Sequence, residues 1–565
     1  MATAGLTIRW RSVRSDPWSW VVGLSLALLL GAVAWPLGEL VHQSLVGQVS
    51  GLVGLENFAT FFGSGYYTRA LFNSLMVSIG ATLLALLLGV PLAMAFTRFE
   101  FRGRGLLRVL VLLSMMSPPF IGAYAWIVLF GRSGLVTEWG ASLGLSLPTI
   151  YGPGGIILAS ALSLYPIVFL VMSSALARLD GSLEEASASL GRRPHQVFFE
   201  VTLPLMRPAM VTSAMLVFLG VMADFGLPSI LGEGERYPVL ATLAYSLYLS
   251  EIGAEPGMAA TTSVVLVLVA FAAVGIGQWV TQRVQVGHDG GRPLAVKPLH
   301  GSWPRVWVAF AVLTVCLANL PLLVVMASSF MEVRGAMFLP VFTTENYVQA
   351  WQMMGHALTN SLQYAGMALL VATVLGALVG YVVSRRKDGL TRALDLLVMV
   401  PFVVPGTVLG IGYAQVFNSP PLLLTGTSAI LVLVLLVRRL PYVVRSSSSI
   451  VSQIDRSLEE ASSSLGEPPM RGFWRVMVPL MRPGILAGVV IAWLEIFNEL
   501  SATIVLYTGA TRTLPIAAFQ QAVGGDFGLA AAYSGMLIGV TALSLGFALW
   551  LGREDPQSMG MVGRG

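Results

Sequence analysis

A few charged and amide side chains stand inside otherwise apolar stretches of this sequence, where burial is costly and a functional role is common. They are Asp224, Glu495, Asn498 and Glu499, together with Arg438 and Arg439. With an internal offset of 275 residues, Asp224 aligns with Glu499, so two acids are predicted to face each other on one path. Paired carboxylates lower the barrier to a cation, which favours a cationic substrate.

Other interpretations of these side chains remain open. The acids can instead balance Arg438 and Arg439, or lie at an interface with water. The two arginines have no charged counterpart in the first half, where Ser163 and Leu164 take their places. They can snorkel to a polar surface, pair with Glu495 or Glu499, or meet an anionic substrate.

A second set of acidic residues lies in a segment that occurs twice. Residues 183–208 read LEEASASLGRRPHQVFFEVTLPLMRP and residues 458–483 read LEEASSSLGEPPMRGFWRVMVPLMRP, without a gap and with 16 of 26 positions identical. Each copy starts as an acidic helix rich in Ala and Ser, which suits the positive end of the helix dipole. A glycine then permits a turn, and an apolar stretch follows.

Further residues set the limits of each copy. Asp180 and Asp455 are predicted to cap the helix that follows them. Pro204 and Pro479 are predicted to interrupt the chain before the next apolar segment. The two loops therefore span about 180–208 and 455–483.

The composition indicates that lipid is part of the solvent for this chain. Of 565 residues, 56% are hydrophobic and only 11% are charged, whereas a soluble domain carries about 25% charged residues. The single cysteine, Cys316, excludes an intrachain disulfide and a structural zinc site of the cysteine type, and the five histidines have no metal-ligand spacing. No metal or cofactor site is predicted in this chain.

Twelve apolar runs are long enough to cross a bilayer as helices. Their predicted limits are 18–41, 71–97, 107–131, 154–177, 208–231, 259–282, 306–330, 358–384, 393–417, 425–447, 484–508 and 529–551. Short repeats match across the chain, among them ALFNSL at 70–75 with ALTNSL at 357–362, and ENF at 56–58 with ENY at 345–347. The prediction is an all-α polytopic membrane protein with two homologous six-helix halves, 1–284 and 304–565, joined by a cytoplasmic linker at 285–303.

The distribution of basic residues predicts the orientation. With both termini in the cytoplasm, 26 of the 33 lysines and arginines fall on the cytoplasmic side and 5 on the other. This bias fixes the topology and accounts for the net charge of +5 without nucleic acid.

The duplicated loop resembles the EAA loop of binding-protein-dependent ABC importer permeases. That pattern has EAA, three residues, Gly, nine residues, Ile, one residue and Leu-Pro. The first copy matches it with Glu185-Ala186-Ser187, Gly191, Val201 and Leu203-Pro204, and the second with Glu460-Ala461-Ser462, Gly466, Val476 and Val478-Pro479. Ser replaces the second Ala in both copies, and Val478 replaces Leu.

The resemblance implies the fold and the partners. It implies a type I ABC importer permease in a bacterial inner membrane, with two copies of an ATPase subunit docked on the loops and an extracytoplasmic substrate-binding protein. Glu185 and Glu460 are expected near the ATPase contact. The residues assigned to the two ATPase-coupling loops are Glu184, Glu185, Ala186, Gly191, Pro204, Glu459, Glu460, Ala461, Gly466 and Pro479. ATP and Mg²⁺ are expected only on the partner subunits. A phosphate-binding loop needs Gly-Lys-Ser/Thr, and neither of the two lysines, Lys297 and Lys387, has that context.

The narrower resemblance concerns the cargo. The fused twelve-span layout, the stretch ADFGLP at 223–228 and the stretch RRLPY at 438–442 look most like ferric-iron permeases. The same machinery for thiamine, polyamines or aminoethylphosphonate is the alternative. A gradient-driven secondary transporter would share the duplicated halves but not the paired EAA loops. A membrane enzyme would need clustered His, Asp or Glu near one interface, and the sequence has none.

Overall fold

The computed structural model describes residues 16–47, 51–116, 118–146, 148–250, 255–284, 297–298, 302–334 and 337–552. Nearly all of the regular structure in these ranges is helical, as lipid requires of a chain that must satisfy its own backbone hydrogen bonds. Of the predicted linker at 285–303, the structure describes residues 297–298 and residues 302–303, which begin the helix Ser302–Ser328. The rest of the linker lies outside the described residues, as do Arg9, Arg11 and Arg14.

The helices of the first half carry six spans and the first loop. They are Pro17–Leu29, the π-helical turn Leu30–Ala34, Trp35–Leu45, Glu56–Gly63, Gly65–Arg98, Arg104–Met116, Pro119–Phe130, Leu135–Ser142, Pro153–Leu176, Ser182–Ser189, Pro194–Val197, the π-helical turn Phe198–Thr202, Leu203–Leu205, Arg207–Ala223, Gly226–Glu233, Leu240–Leu249 and Pro256–Val284.

The second half repeats this order. Its helices are Ser302–Ser328, Glu345–Met354, His356–Arg385, Gly389–Val403, Gly406–Val416, Ser428–Val451, Ser457–Ser464, Pro469–Gly472, the π-helical turn Phe473–Met477, Val478–Phe497, Thr503–Leu506, Leu514–Gly524 and Phe527–Gly552. Two small sheets complete the structure. Phe99–Glu100 pairs in parallel with Lys297–Pro298, and Met331–Arg334 pairs antiparallel with Met337–Phe342.

The predicted spans all have helical counterparts. Among the described residues nine helices are long and apolar enough to cross a bilayer, and eleven if each of two bent pairs counts as one span. The remaining predicted span is the 24-residue helix Ser428–Val451, in which Arg438, Arg439 and Arg445 reduce the apolar character. The membrane-spanning, all-helical prediction is confirmed.

Four of the twelve predicted spans are interrupted within their predicted limits. The spans at 107–131 and 393–417 break before Pro119 and Gly406, and those at 208–231 and 484–508 break after Ala223 and Phe497. Gly389–Val403 and Gly406–Val416 meet at an angle of 110°. The breaks occupy matching places in both halves, so they are part of the repeated design of the fold.

The interruption predicted at Pro479, in the second loop, is wrong. A bend of 67° separates Pro194–Leu205 from Arg207–Ala223 in the first half, after Pro204. In the second half Pro479 lies in the first turn of Val478–Phe497, which continues without a break. The π-helical turn Phe473–Met477 leads directly into this helix, so Pro469–Phe497 forms one continuous helical segment.

The ENF and ENY repeats hold the C-terminal ends of the first and seventh spans. The buried Asn57 amide donates to the carbonyls of Ser44 and Val46 at 3.1 and 2.8 Å. Asn346 donates to the carbonyls of Ser329 and Met331 at the same two distances. Each asparagine therefore supplies both of its amide protons to backbone acceptors that a span end leaves without partners.

The ALFNSL and ALTNSL repeats hold a second junction in each half. The Ser74 hydroxyl accepts from the backbone N–H of Leu240 at 2.7 Å, and the Ser361 hydroxyl accepts from that of Leu514 at 2.7 Å. These contacts fix the starts of the helices Leu240–Leu249 and Leu514–Gly524. The adjacent asparagine, Asn73, donates to the Pro238 carbonyl at 2.9 Å.

Glycines allow the second and fourth spans, and the eighth and tenth, to approach closely. A Cβ added to Gly89 would lie 2.5 Å from Val168, and one added to Gly376 would lie 2.5 Å from Val443. Small residues at helix crossings are the usual means of close packing in a membrane.

The first span of each half packs on the other half. Pro36 lies against Gly412 of the ninth span, where an added Cβ would be 3.0 Å from the Pro36 carbonyl oxygen. In return, the Asn319 amide of the seventh span donates to the Leu110 carbonyl at 3.1 Å. This exchange binds the two halves into one body around a shared core.

Candidate functional site

The two duplicated loops begin with the capped helices that the sequence predicted. Asp180 accepts from the backbone N–H of Ser182 at 3.0 Å, and Asp455 accepts from that of Ser457 at 2.9 Å. Each aspartate acts from the position before the N-cap residue. The hydrogen bond from Ser457 lowers the pKa of Asp455 below the usual range of a carboxyl group.

The loop glycines turn the chain out of these helices. Gly191 and Gly466 have φ values of +83° and +84°, a region that favours glycine. The following N–H groups, of Arg192 and Glu467, donate back to the carbonyls of Ser187 and Ser462 at 3.3 and 3.2 Å. This bonding pattern ends both helices with a Schellman motif, as the glycine positions predicted.

The two adjacent glutamates of each loop point in opposite directions. Glu184 forms an ion pair with Arg98 at the C-terminal end of the second span, with 2.5 Å between Arg98 Nη1 and Glu184 Oε2. Glu459 forms the equivalent pair with Arg385 at the end of the eighth span, at 2.6 Å. Glu184 and Glu459 thus fasten the loops to the body of the protein, and their side chains are only 12% and 23% exposed.

The second partner of each anchoring glutamate differs between the halves. The Thr202 hydroxyl donates to Glu184 at 2.5 Å, from the π-helical turn of the same loop. In the second half the phenol of Tyr381 donates to Glu459 at 2.6 Å, from the eighth span. The second loop is therefore bonded more directly to the membrane helices than the first.

The face of each loop helix that points away from the protein body is exposed. Neither Ser182–Ser189 nor Ser457–Ser464 has a buried residue, and Glu185, Ala186, Glu460 and Ala461 are exposed. Leu190 is 84% exposed and Leu465 is 86% exposed. An apolar side chain this exposed, beside exposed acids and small residues, is typical of a surface that another protein covers.

Each loop contains an exposed ion pair, and the acidic and basic residues of the pair have exchanged positions between the two halves. Arg192 pairs with Glu200 at 2.9 Å in the first loop, and Arg475 pairs with Glu467 at 2.7 Å in the second. With the offset of 275, Arg192 aligns with Glu467 and Glu200 aligns with Arg475. The attraction is preserved although both residue types have changed.

The charged residues of the second half form a cluster near the middle of the tenth span. Arg438 Nη1 lies 2.7 Å from one oxygen of Glu499, and Arg439 binds the other oxygen. Arg439 also lies 3.1 Å from Glu495. Of the interpretations that the sequence left open, the structure has the arginines paired with both glutamates.

The broken eleventh span positions this cluster. The backbone N–H of Ala502 donates to Glu499 at 3.1 Å, so the carboxylate caps the short helix Thr503–Leu506. Asn498 lies in the same break, where its N–H still bonds to Leu494. The glutamate is only 3% exposed, and an added Cβ at Gly406 would collide with Arg438.

Asp224 lies in the equivalent break of the fifth span without an arginine partner. It accepts from the backbone N–H of Gly226 at 3.1 Å, and no salt bridge of the described residues includes it. It is close enough to Glu499 for their charges to interact. Gly226 packs directly on Phe120 and Leu500 at the breaks of the third and eleventh spans. The broken spans therefore meet, and the two aligned acids lie on their shared boundary.

Sequence reasoning missed the partners of the predicted residues. Arg98 and Arg385 follow the duplicated ALFNSL and ALTNSL segments at equal spacing, and that spacing was the available signal. Two of the four breaks were signalled in the sequence, by Pro118-Pro119 and by Pro405-Gly406. No group of three or more His, Cys, Asp or Glu that could hold a metal ion occurs within the described ranges.

Comparison with known proteins gives a family match in both halves. The match is to the binding-protein-dependent transport system inner membrane component, over residues 85–286 and 372–554. The ferric transport system permease protein FbpB of Actinobacillus pleuropneumoniae is 29% identical, over 88% of this chain and 73% of its own length. A putative ferric transport system permease protein FbpB of Haemophilus influenzae is 30% identical, over 80% and 72%.

A third relative matches over less of this chain. The putative 2-aminoethylphosphonate transport system permease protein PhnU of Salmonella typhimurium is 30% identical, over 42% of this chain and 82% of its own length.

Proposed function

This chain belongs to the family of binding-protein-dependent transport system inner membrane components, as a fused two-half ABC importer permease, and we propose that it passes ferric iron across the membrane. The ferric-iron proposal rests on how much of this chain is similar to each relative. The ferric permeases match this chain across both halves, whereas the aminoethylphosphonate permease matches 42% of it. Aminoethylphosphonate, thiamine and polyamines are the alternative cargoes.

The proposed mechanism couples the pore to separate ATPase subunits through the two loops. Two ATPase copies would each cover one exposed loop face, with Glu185 or Glu460 beside the exposed Leu190 or Leu465. Closure of the ATPases on ATP draws the loops together, and the anchoring pairs of Glu184 and Glu459 carry that movement into the second and eighth spans. ATP and Mg²⁺ belong to those partners in this proposal, and this chain hydrolyses nothing.

The proposed passage runs along the boundary between the broken spans. Discontinuous helices that meet near the bilayer centre are the usual site of a transported substrate. Asp224 offers a carboxylate without an arginine partner, whereas Glu495 and Glu499 are held by Arg438 and Arg439. In this proposal an extracytoplasmic binding protein delivers the cargo, both termini face the cytoplasm, and Asp224 is the acid available to a passing cation.

The test is uptake by vesicles that contain the whole complex. The permease is reconstituted with its ATPase and binding protein, and ATP-dependent uptake of ferric iron is compared with uptake of thiamine, putrescine and aminoethylphosphonate. We expect iron uptake only with ATP. Uptake of another compound instead would refute the cargo, and ATP-independent uptake driven by an ion gradient would refute the class of transporter.

A matched pair of variants tests the loops. Glu185→Arg combined with Glu460→Arg should abolish ATP-driven uptake while the protein stays inserted and folded, because both side chains are exposed. Glu138→Arg, at an exposed acid on the opposite side in the predicted topology, is the control and should leave uptake unchanged. Wild-type uptake in the double variant would count against docking at these loops.

A further inference from the structure

Each cytoplasmic loop touches an aromatic residue from the other half. Trp18, near the start of the first span, packs edge-on against Phe473 of the second loop, with ring centroids 5.3 Å apart. Trp307, near the start of the seventh span, packs edge-on against Phe198 of the first loop, also at 5.3 Å. The two contacts are related by the internal repeat and have the same geometry.

These rings lie on the inner side of the loops. Phe198 and Phe473 are 8% and 1% exposed, whereas the residues that follow them, Phe199 and Trp474, are largely exposed. Phe473 follows Gly472 at the start of the π-helical turn that leads back to the membrane. A loop cannot shift toward or away from the body of the protein without moving against the tryptophan.

The second-half contact extends to the anchoring glutamate. The Tyr381 ring lies 4.5 Å from Trp18 and 5.1 Å from Phe473, so the three rings are in mutual contact. The phenol of Tyr381 also donates to Glu459. Trp18 therefore contacts Phe473 of the second loop directly. It is also linked to Glu459 of that loop indirectly, because it contacts Tyr381, which is hydrogen-bonded to Glu459.

The first half lacks this third ring. The residue aligned with Tyr381 through the ALFNSL and ALTNSL repeats is Met94, and Glu184 instead receives its hydrogen bond from Thr202 of its own loop. Among the ring contacts of the described residues, the pair of Trp307 and Phe198 links the first loop to the other half. The contact is thus stronger at the second loop.

An ion pair further ties Trp18 to the second half. Asp16, at the N-cap of the first span, binds Arg386, which directly follows the Arg385 that holds Glu459. The Trp18 N–H donates to the Asp16 side chain at 3.1 Å, which fixes the first turn of the helix. The start of the first span and the base of the second loop form one connected unit.

We infer that Trp18 and Trp307 are positioning residues that transmit the movement of each loop to the first span of the opposite half. The inference rests on the proposed function, in which the loops move when the partner ATPases close. Because each first span packs along the other half, a loop that pushes on its tryptophan displaces a helix belonging to the opposite half. Each loop therefore drives a helix of the opposite half in addition to the span of its own half that its anchoring glutamate holds.

The experiment measures cargo transported per ATP hydrolysed in the reconstituted complex. Trp18→Ala and Trp307→Ala should each lower this ratio, with ATP hydrolysis continuing and the ATPase still bound. Loss of one aromatic contact changes a conformational equilibrium by about two- to tenfold, and we expect the larger effect for Trp18, which contacts two rings. Trp18→Phe, which keeps a ring, should restore most of the ratio.

A lipid-facing tryptophan on the same helix provides the control. Trp20 is 63% exposed, and Trp20→Ala should leave the ratio at the wild-type value. A wild-type ratio in both Trp18→Ala and Trp307→Ala would overturn the inference. So would a lower ratio in Trp18→Ala that Trp18→Phe fails to restore. If the wild-type complex transports nothing with ATP, the proposed function itself fails, so the two failures are distinguishable.

Discussion

Replacement of Glu499 by glutamine tests whether the charge cluster holds the tenth span and the broken eleventh span together. Glu499 is 3% exposed and binds two arginines that are 11% and 12% exposed. Arg439 keeps Glu495 at 3.1 Å in the variant, but Arg438 has no second ion pair among the described residues. One buried guanidinium is therefore left without a counter-charge, which costs about 3–5 kcal/mol.

The assay is equilibrium unfolding of the purified permease in detergent, followed by tryptophan fluorescence. The free energy of unfolding of Glu499→Gln should fall by about 3–5 kcal/mol. Asp224→Asn is the matched control, since it removes the aligned carboxylate, which has no arginine partner, and Asn can still accept from Gly226. Its loss should stay below about 1 kcal/mol.

The double variant separates loss of the ion pair from loss of the cap on the helix Thr503–Leu506. Arg438→Gln together with Glu499→Gln removes the charge that the single variant leaves unpaired, and it should recover about 1–3 kcal/mol. Two results would refute the reasoning. They are a stability of Glu499→Gln within about 1 kcal/mol of the wild type, and a double variant less stable than the single one.

Other consequences of the structure can be measured in the same preparations. Arg192→Glu should destabilise the first loop by about 0.2–1 kcal/mol and make it more sensitive to protease. Adding Glu200→Arg should restore the stability of the loop, because the second loop already carries the reversed pair. Equal cleavage of the single and double variants would contradict this. Asn57→Ala should lower the free energy of unfolding by about 1–3 kcal/mol, because two buried carbonyls lose their donor; an unchanged unfolding midpoint would contradict it. The pKa of Asp455 is lowered in the folded loop, so its cap is intact above the ordinary carboxyl range and is lost as the pH falls. Asp455→Ala should therefore weaken ATPase binding at neutral pH, as measured by titration of the ATPase onto vesicles, and Asp455→Asn, which keeps an acceptor, should weaken it less.

Most of the fold followed from hydropathy and internal repetition, because lipid leaves a helix as the natural form for a long apolar run. The breaks at Asp224 and Glu499 did not follow from hydropathy. The average hydropathy of these segments is set by the apolar residues around the two acids, and it does not show where the helical backbone hydrogen bonds stop. The packing of the first span on the opposite half was also beyond sequence reasoning, because an apolar helix does not specify which neighbour it will meet.

The candidate site was predictable in its residues and not in their roles. Glu184 and Glu185 are adjacent and of one type, so only the position of Arg98 decides which of them turns inward. The aligned pair of the second loop follows the same rule through Arg385. The choice among partners for Arg438 and Arg439 likewise depended on distances across helices that are far apart in the sequence.

The reversed ion pairs of the loops limit how the two halves can be interchanged. A loop moved as a whole carries both members of its pair and should work in either half, whereas a hybrid joined between positions 192 and 200 brings two arginines or two glutamates together. The two residues of each ion pair must therefore come from the same loop. A permease assembled from one half repeated twice could therefore keep its loop electrostatics intact, while one assembled from loop fragments could not.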